Sequence, residues 1–251
     1  MNMAFYSASV GAQQQMLRMG VQANNVANVN HYGYKNSVAG FTNLMYGSFV
    51  GAEEEILERG AGAVMVQTST DWSQSSMVET GYTFDFAVEG DGFFALYDPA
   101  TTDITYTRNG SFSMAHVTLN STDEAGVPET GWYLCDGNGL YVADMRGNFI
   151  PIDPDADPMS ITPDSLNIGL FDFNIKDGMV RTGPDGFAEV EKNGNLQLAT
   201  GKIHQGYLET SNVDLAVEMT KVIESQRLYT YALKMVQTSD EVETTINGLS
   251  S

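Results

Sequence analysis

Cysteine, proline, histidine and basic charge are all scarce in this chain of 251 residues. Cys135 is the only thiol, so no disulfide framework can form within the chain, and it reads as a small buried hydrophobe. No apolar run approaches the roughly 18 residues that a membrane helix needs. The start, MNMAFYSASVGAQQQM, has neither a basic head nor a continuous apolar stretch, so a cleaved signal peptide is not expected. Twelve Lys and Arg stand against 32 Asp and Glu, a net charge of −20. That balance argues against nucleic acid and anionic membrane surfaces as partners.

Chemistry-bearing patterns are equally sparse. His31, His116 and His204 fall in no HxxxH or HExxH spacing. In DPDADPMSITPD, Asp153, Asp155 and Asp157 stand at positions 1, 3 and 5 of a calcium loop and Asp164 at position 12. Pro158, however, sits where that loop needs glycine, and position 12 should be glutamate. EGDGFF lacks both GxGxxG and a following Lys-Ser/Thr, so its glycines read as turn residues. NGS at 109–111 and NST at 120–122 fit the glycan-acceptor pattern, the first being needed as a turn. The expectation is no catalytic residue, no cofactor, no metal and no small-molecule substrate.

What is present is a change of period along the chain. Residues 4–30 read as a helix in which Ala12, Met16, Met19, Ala23 and Val26 are spaced 4, 3, 4, 3. Its other face is Gln, Asn and Ser rather than Lys and Glu. Residues 213–247 read as a second helix, with Leu215, Met219, Val222, Gln226, Tyr229, Leu233 and Val236 in the same spacing. Ser211 or Asn212 is its expected N-cap and Gly248 its expected C′ residue. Between the helices the period becomes two. YTFDFAVEGDGFFALY places Phe84, Phe86 and Val88 on one face, and ITYTRNGSFSM centres on Asn109-Gly110, a strong hairpin signal. Residues 115–130 and 153–165 read as loops. Residues 1–45 hold Arg18 and Lys35 and no acid, whereas residues 46–204 carry −18.

The expected architecture is therefore α+β and mainly β. It comprises an N-terminal helical segment (1–45), a connector (46–64), a central all-β domain of short strands and tight hairpins (65–205) and a C-terminal helix (206–251). The two terminal helices are expected to pair as a coiled coil, because either alone is marginal in water. The amide cluster Asn24, Asn25, Asn28 and Asn30 offers hydrogen bonds without a charge to desolvate, so it is expected to fix register where the helix end is buried between subunits. Asn30 and Gly33 suit the left-handed conformations that end a helix.

These residues carry a family resemblance. QANNVANVNHYGYK resembles the N-terminal signature of bacterial flagellar axial proteins, the rod and hook family, through Asn24, Asn25, Ala27, Asn28, Asn30, Gly33, Tyr34 and Lys35. GYLETSNVDLAVEMTKVIESQR resembles the family's C-terminal signature, including Glu209, Ser211, Asn212, Met219, Gln226 and Arg227. FAVEGDGFFAL and TYTRNGSFSM resemble strands of its β domain. GDGFF and GYLETSNVD look more like distal rod members than proximal ones.

The resemblance implies a structural subunit, exported unfolded through the flagellar export apparatus without a cleaved signal peptide and located in the basal body. It implies a helical homopolymer that contacts other rod and hook proteins and transmits torque. Hook or proximal rod membership stays open. So does a different class, a secreted β-domain binding module oligomerised through its helices, which would show an aromatic-lined groove.

Overall fold

The computed structural model describes residues 3–43, 47–50, 56–59, 63–99, 101, 103–117, 131–154 and 161–249. The NST pattern at 120–122, the middle of the candidate calcium loop and the EEE of EEEILE fall outside them. Helix and strand are mixed, strands predominating, with a long helix at each end. The chain divides into two compact units. One comprises Met1–Ala27, Ser37–Asp71 and Val213–Ser251, the other Asn28–Asn36 and Trp72–Asn212. The segment 28–36 thus goes with the β unit, and 37–71 goes with the helices. Both differ from the boundaries read from period alone.

The helical unit contains α1 (Met3–Ala27), β1 (Ser37–Asn43), β2 (Gly47–Val50), β3 (Ile56–Arg59), β4 (Ala63–Thr70) and, from the far end of the chain, a helix at Leu215–Leu249. β1 pairs antiparallel with β4, with a register shift at Gly40/Phe41, and β2 pairs with β3. So the connector forms paired strands where no clean period was readable. β4 is tied to α1 by Gln14, whose side-chain oxygen accepts from Met65 N at 2.7 Å.

The β unit contains β5 (Met77–Glu79), β6 (Phe86–Glu89), β7 (Phe93–Tyr97), β8 (Ile104–Thr107), β9 (Phe112–Val117), β10 (Gly131–Asp136), β11 (Tyr141–Val142) and α2 (Pro163–Leu166). It continues with β12 (Leu170–Phe173), β13 (Val180–Arg181), β14 (Gly186–Ala188), β15 (Leu196–Leu198), β16 (Lys202–Gln205) and β17 (Tyr207–Glu209). The far-end helix is α3. Among the described residues, one sheet runs β13-β14-β8-β7-β11-β10-β9, with β12 joining β7 and β15. β16 pairs with β6, and β17 with β5.

β7 explains why FFALY reads as an unbroken apolar run. Phe94 and Leu96 enter one core with Phe86, Val88, Phe112, Leu134 and Ile168. Phe93 and Ala95 enter another with Tyr106, Phe171, Phe173 and Phe187. Successive side chains alternate, and both faces are buried. Phe84, Phe86 and Val88 share the first core, as their spacing predicts.

The hairpin expected at Asn109-Gly110 does not form. β8 pairs with β7 and β14, and β9 pairs with β10. The glycine is required for another reason: a Cβ at Gly110 would lie 1.7 Å from the Phe86 carbonyl oxygen. There the chain lies antiparallel beside residues 84–86, with Phe86 N donating to Gly110 O at 3.0 Å and Asp85 bridging Ser111. Residues 115–117 continue β9, and 163–166 form α2, both inside stretches read as loops.

Helix ends also differ from expectation. α1 stops at Ala27, and Asn30 keeps a negative φ while Gly33 adopts φ +71°. The cap of α3 is Asp214, not Ser211 or Asn212; its Oδ1 accepts from Ala216 N at 2.9 Å and Val217 N at 3.2 Å. A carboxylate there also meets the positive end of the helix dipole. α3 runs through Gly248 to Leu249.

Candidate functional site

Within the helical unit, α1 and α3 meet through a mixture of polar, small and apolar side chains. On α1, Ala8, Ala12, Gln15, Met19, Gln22 and Val26 are buried or half-buried. On α3, Glu218, Val222, Ser225, Tyr229, Ala232, Val236 and Ser239 are. Both sets keep the heptad spacing. Ser225 Oγ donates to Gln22 Oε1 at 2.9 Å, both buried, and Arg18 lies 3.7 Å from Glu224. Lys221 reaches Glu218 at 2.6 Å.

The predicted seams share part of these stripes. Ala12, Met19, Val26, Val222, Tyr229 and Val236 lie on them, whereas Met16, Ala23, Leu215, Met219, Gln226 and Leu233 are exposed, as is Arg227. Gln15, Gln22, Glu218, Ser225, Ala232 and Ser239 take the inner positions. A search for apolar residues chose the greasier of two adjacent heptad stripes. Close helix approach instead selects short side chains and amides that can hydrogen-bond across the contact.

The amide cluster splits. Asn25 is buried: its Nδ2 donates to Ser37 O at 2.8 Å and Glu218 Oε2 at 3.3 Å, and its Oδ1 accepts from Ser37 N at 3.0 Å. These bonds join α1, β1 and α3 within one chain. Asn24 is exposed and Asn28 half-buried, its carbonyl accepting from His31 N at 3.1 Å.

In the β unit the two signature segments converge on one buried charge cluster. The Lys35 and Glu209 side chains are 1 % and 0 % exposed, and Lys35 Nζ lies 2.7 Å from Glu209 Oε1. Arg108 Nη1 lies 3.3 Å from Glu209 Oε2, and Ser75 N donates to Oε1 at 3.0 Å. Lys35 Nζ also donates to Ser73 O at 2.8 Å, and Arg108 Nη2 to Gly90 O at 2.7 Å. Burial pulls the Arg108 guanidinium below its ordinary value, and Glu209 opposes that pull.

Gly33 N donates to Glu209 O at 2.8 Å, and a Cβ on Gly33 would lie 2.3 Å from Asn109 N. Asn212 Oδ1 accepts from Asn36 N at 2.6 Å, while its Nδ2 donates to Ser73 O at 3.2 Å. The Ser211 carbonyl accepts from Ser75 Oγ at 2.9 Å. Arg181 donates to Lys35 O at 2.6 Å and covers the rings of Tyr34, at 4.6 Å, and Phe187, at 5.1 Å. Gly33, Lys35, Glu209, Ser211 and Asn212 therefore make contacts inside one chain. Arg108, Ser75, Asn36 and Arg181 complete the cluster and carried no signal of period or charge.

Among the described residues, the β unit carries three grooves lined by its own side chains. The largest, about 870 Å³, is lined by Asp98, Asp103, Asp136, Asp185 and Glu189. No three His, Cys, Asp or Glu among the described residues are placed to hold a metal. His204 pairs with Glu89 at 2.7 Å, and His31 lies 3.3 Å from Asp185. No described helix is long and apolar enough to cross a membrane.

Two family models match the chain: flagellar basal body rod FlgEFG protein C-terminal over residues 204–249, and flagellar hook protein FlgE/F/G D1 domain over residues 87–165. The chain is 32 % identical over 269 aligned positions to the flagellar basal-body rod protein FlgG of Bacillus subtilis, covering 95 % of this chain and 96 % of that one. It is 30 % identical to FlgG of Borreliella burgdorferi, with 98 % of each chain covered. It is 29 % identical to the rod protein FlgF of Caulobacter vibrioides, with 93 % of each covered.

Proposed function

The chain belongs to the flagellar basal-body rod protein family as a structural subunit of the rod, and from that membership we propose how it assembles. The two terminal helices act as a coiled-coil pair whose inner seam lies within one subunit. Their outer apolar stripes bind neighbouring copies in a helical homopolymer. That polymer contacts other rod and hook proteins and transmits torque. Relatives named FlgG, matched along nearly their whole length, support the distal-rod reading. Export in an unfolded state through the flagellar export apparatus completes this proposal.

One observation carries it. The facing stripes mix alanines and polar residues with Met19, Val26, Val222, Tyr229 and Val236, while further large apolar side chains point outward. Met16 is 58 % exposed, Tyr231 59 % and Met235 55 %. Leu228, Tyr231, Met235, Val242, Ile246 and Leu249 recur at helical spacing along one side of α3, all exposed. A helix face of this kind, left to water, marks an interaction surface. Burying one such side chain in a neighbour contributes about 1.5–3 kcal/mol, so a stripe of six gives a polymer contact ample driving force.

The test places a charge on the stripe. Tyr231→Lys and Met235→Lys should leave the monomer's circular dichroism and melting temperature unchanged and abolish polymer growth in sedimentation and electron microscopy. Normal polymers from both variants would remove the proposed role of the stripe.

A further inference from the structure

The second groove, about 680 Å³, is chemically unlike the other two. It lies entirely within the β unit. Tyr32, Tyr82 and Trp132 line it, together with Phe84, Phe112 and Met114. Tyr82 is 72 % exposed, so its ring is open to a ligand. Trp132 is held upright by His116, ring to ring at 5.2 Å and 69°. The same lining holds Thr80, Thr83, Asp85, Ser111 and Ser113.

Asp85 is the only ionisable carboxylate in the lining, and no Lys or Arg accompanies it. Its Oδ2 accepts from Thr80 Oγ1 at 2.6 Å, which fixes the carboxylate plane. The backbone on either side is rigid: Asp85 bridges Ser111, and Phe112 N donates to Phe84 O at 3.3 Å. Gln205 Nε2 donates to Thr83 O at 2.7 Å from behind.

We propose that this groove binds a neutral saccharide chain, in addition to the subunit's role in the rod. Pyranose rings present flat faces of C–H groups that stack on aromatic rings, and edges of hydroxyls that donate to carboxylates and exchange bonds with Ser and Thr. The lining supplies both kinds of group. The volume falls in the range of roughly 300–1,000 Å³ typical of small-ligand sites.

Charge narrows the ligand. Without a cation, the groove offers nothing to a phosphate or an acidic sugar. A polyhydroxylated neutral ligand needs no counter-charge from the lining. The sequence pattern could not expose this groove, because Tyr32, Tyr82 and Trp132 come from three distant stretches.

The test uses the full-length protein and two soluble probes, cellohexaose and the hexamer of N-acetylglucosamine. Binding is read by isothermal titration and by chemical-shift changes at the indole of Trp132. The expected result is saturable binding of at least one probe, weakened tenfold or more by Tyr82→Ala and by Asp85→Asn, with Tyr231→Ala as a control that leaves it unchanged. Tyr82 is so exposed that its removal cannot unfold the unit, so loss of binding there reports the groove itself. Absence of binding to either probe at millimolar concentration overturns the proposal. So does binding that survives Tyr82→Ala. If Tyr82→Ala instead slows polymer growth while neither probe binds, the groove is a contact between copies and the saccharide reading is wrong.

Discussion

Glu209→Ala removes a carboxylate that two buried cations share. Lys35 and Arg108 keep their carbonyl partners at Ser73, Val88 and Gly90, but neither can reach water. Deleting one partner of a buried ion pair costs about 3–5 kcal/mol, and the remaining carbonyl bonds place this case near the lower end. At about 2–4 °C per kcal/mol for a chain of this size, the melting temperature should fall by roughly 6–12 °C. Lys35→Met should cost less, about 1.5–3 kcal/mol, because Glu209 retains Arg108 and Ser75 N. In a Glu209→Ala background, Lys35→Met should cost nothing or restore stability, since it deletes a stranded ammonium. Urea unfolding of dilute monomer, followed by the fluorescence of Trp72 against Phe93 and Phe187, measures all four corners of this cycle. If the single effects add to within about 0.5 kcal/mol, the two side chains do not act together and the reasoning fails.

Other expectations are narrower. Gly33→Ala must accept φ +71° and a backbone atom 2.3 Å away, so it should destabilise the β unit by about 2 kcal/mol or more; an unchanged melting curve would contradict that geometry. Gln22→Ala leaves the Ser225 hydroxyl buried without its acceptor and should cost about 1–3 kcal/mol, seen first as faster amide exchange in α3. The Cys135 thiol, pushed up to about 11 mainly by burial, should react with a thiol reagent at pH 8 about a hundredfold more slowly than an unfolded control. Lys176, through its hydrogen bond and its charge, holds the Asp91 carboxyl below its ordinary value of 3.8. That contribution is present above 3.8 and lost as pH falls through the lowered value. In a carbon-detected titration, Lys176→Met should raise the Asp91 midpoint.

How far the sequence could be read depends on the length scale of each interaction. The terminal helices and the stranded middle follow from period, which is local. The heptad spacing of the inner seam was legible too, but its phase was not. Met16 and Gln15 are neighbours, as are Met219 and Glu218, and only the partner helix decides which of each pair turns inward. Asn109-Gly110 carried the right signal for a sharp change of direction and the wrong one for pairing. Its glycine answers a carbonyl from a strand more than 20 residues earlier. The charge cluster was half visible. Lys35, Glu209 and the segment that holds Arg108 stood out through the resemblance, while Ser75 belongs to ordinary loop sequence, and the four become partners only in three dimensions.

The pairing of β5 with β17 and of β6 with β16 has a consequence for a chain that appears one end first. Residues 77–89 wait for residues 202–209, and Lys35 waits 174 positions for its carboxylate. A nascent or threading chain that has delivered its first 200 residues still lacks both strands and the buried counter-charge. The main sheet, whose strands all lie before residue 200, can already pair, but β5 and β6 lack their strand partners until the last part of the domain emerges. Completion of the edge pairings and of the buried charge cluster is thus timed by the final stretch before α3.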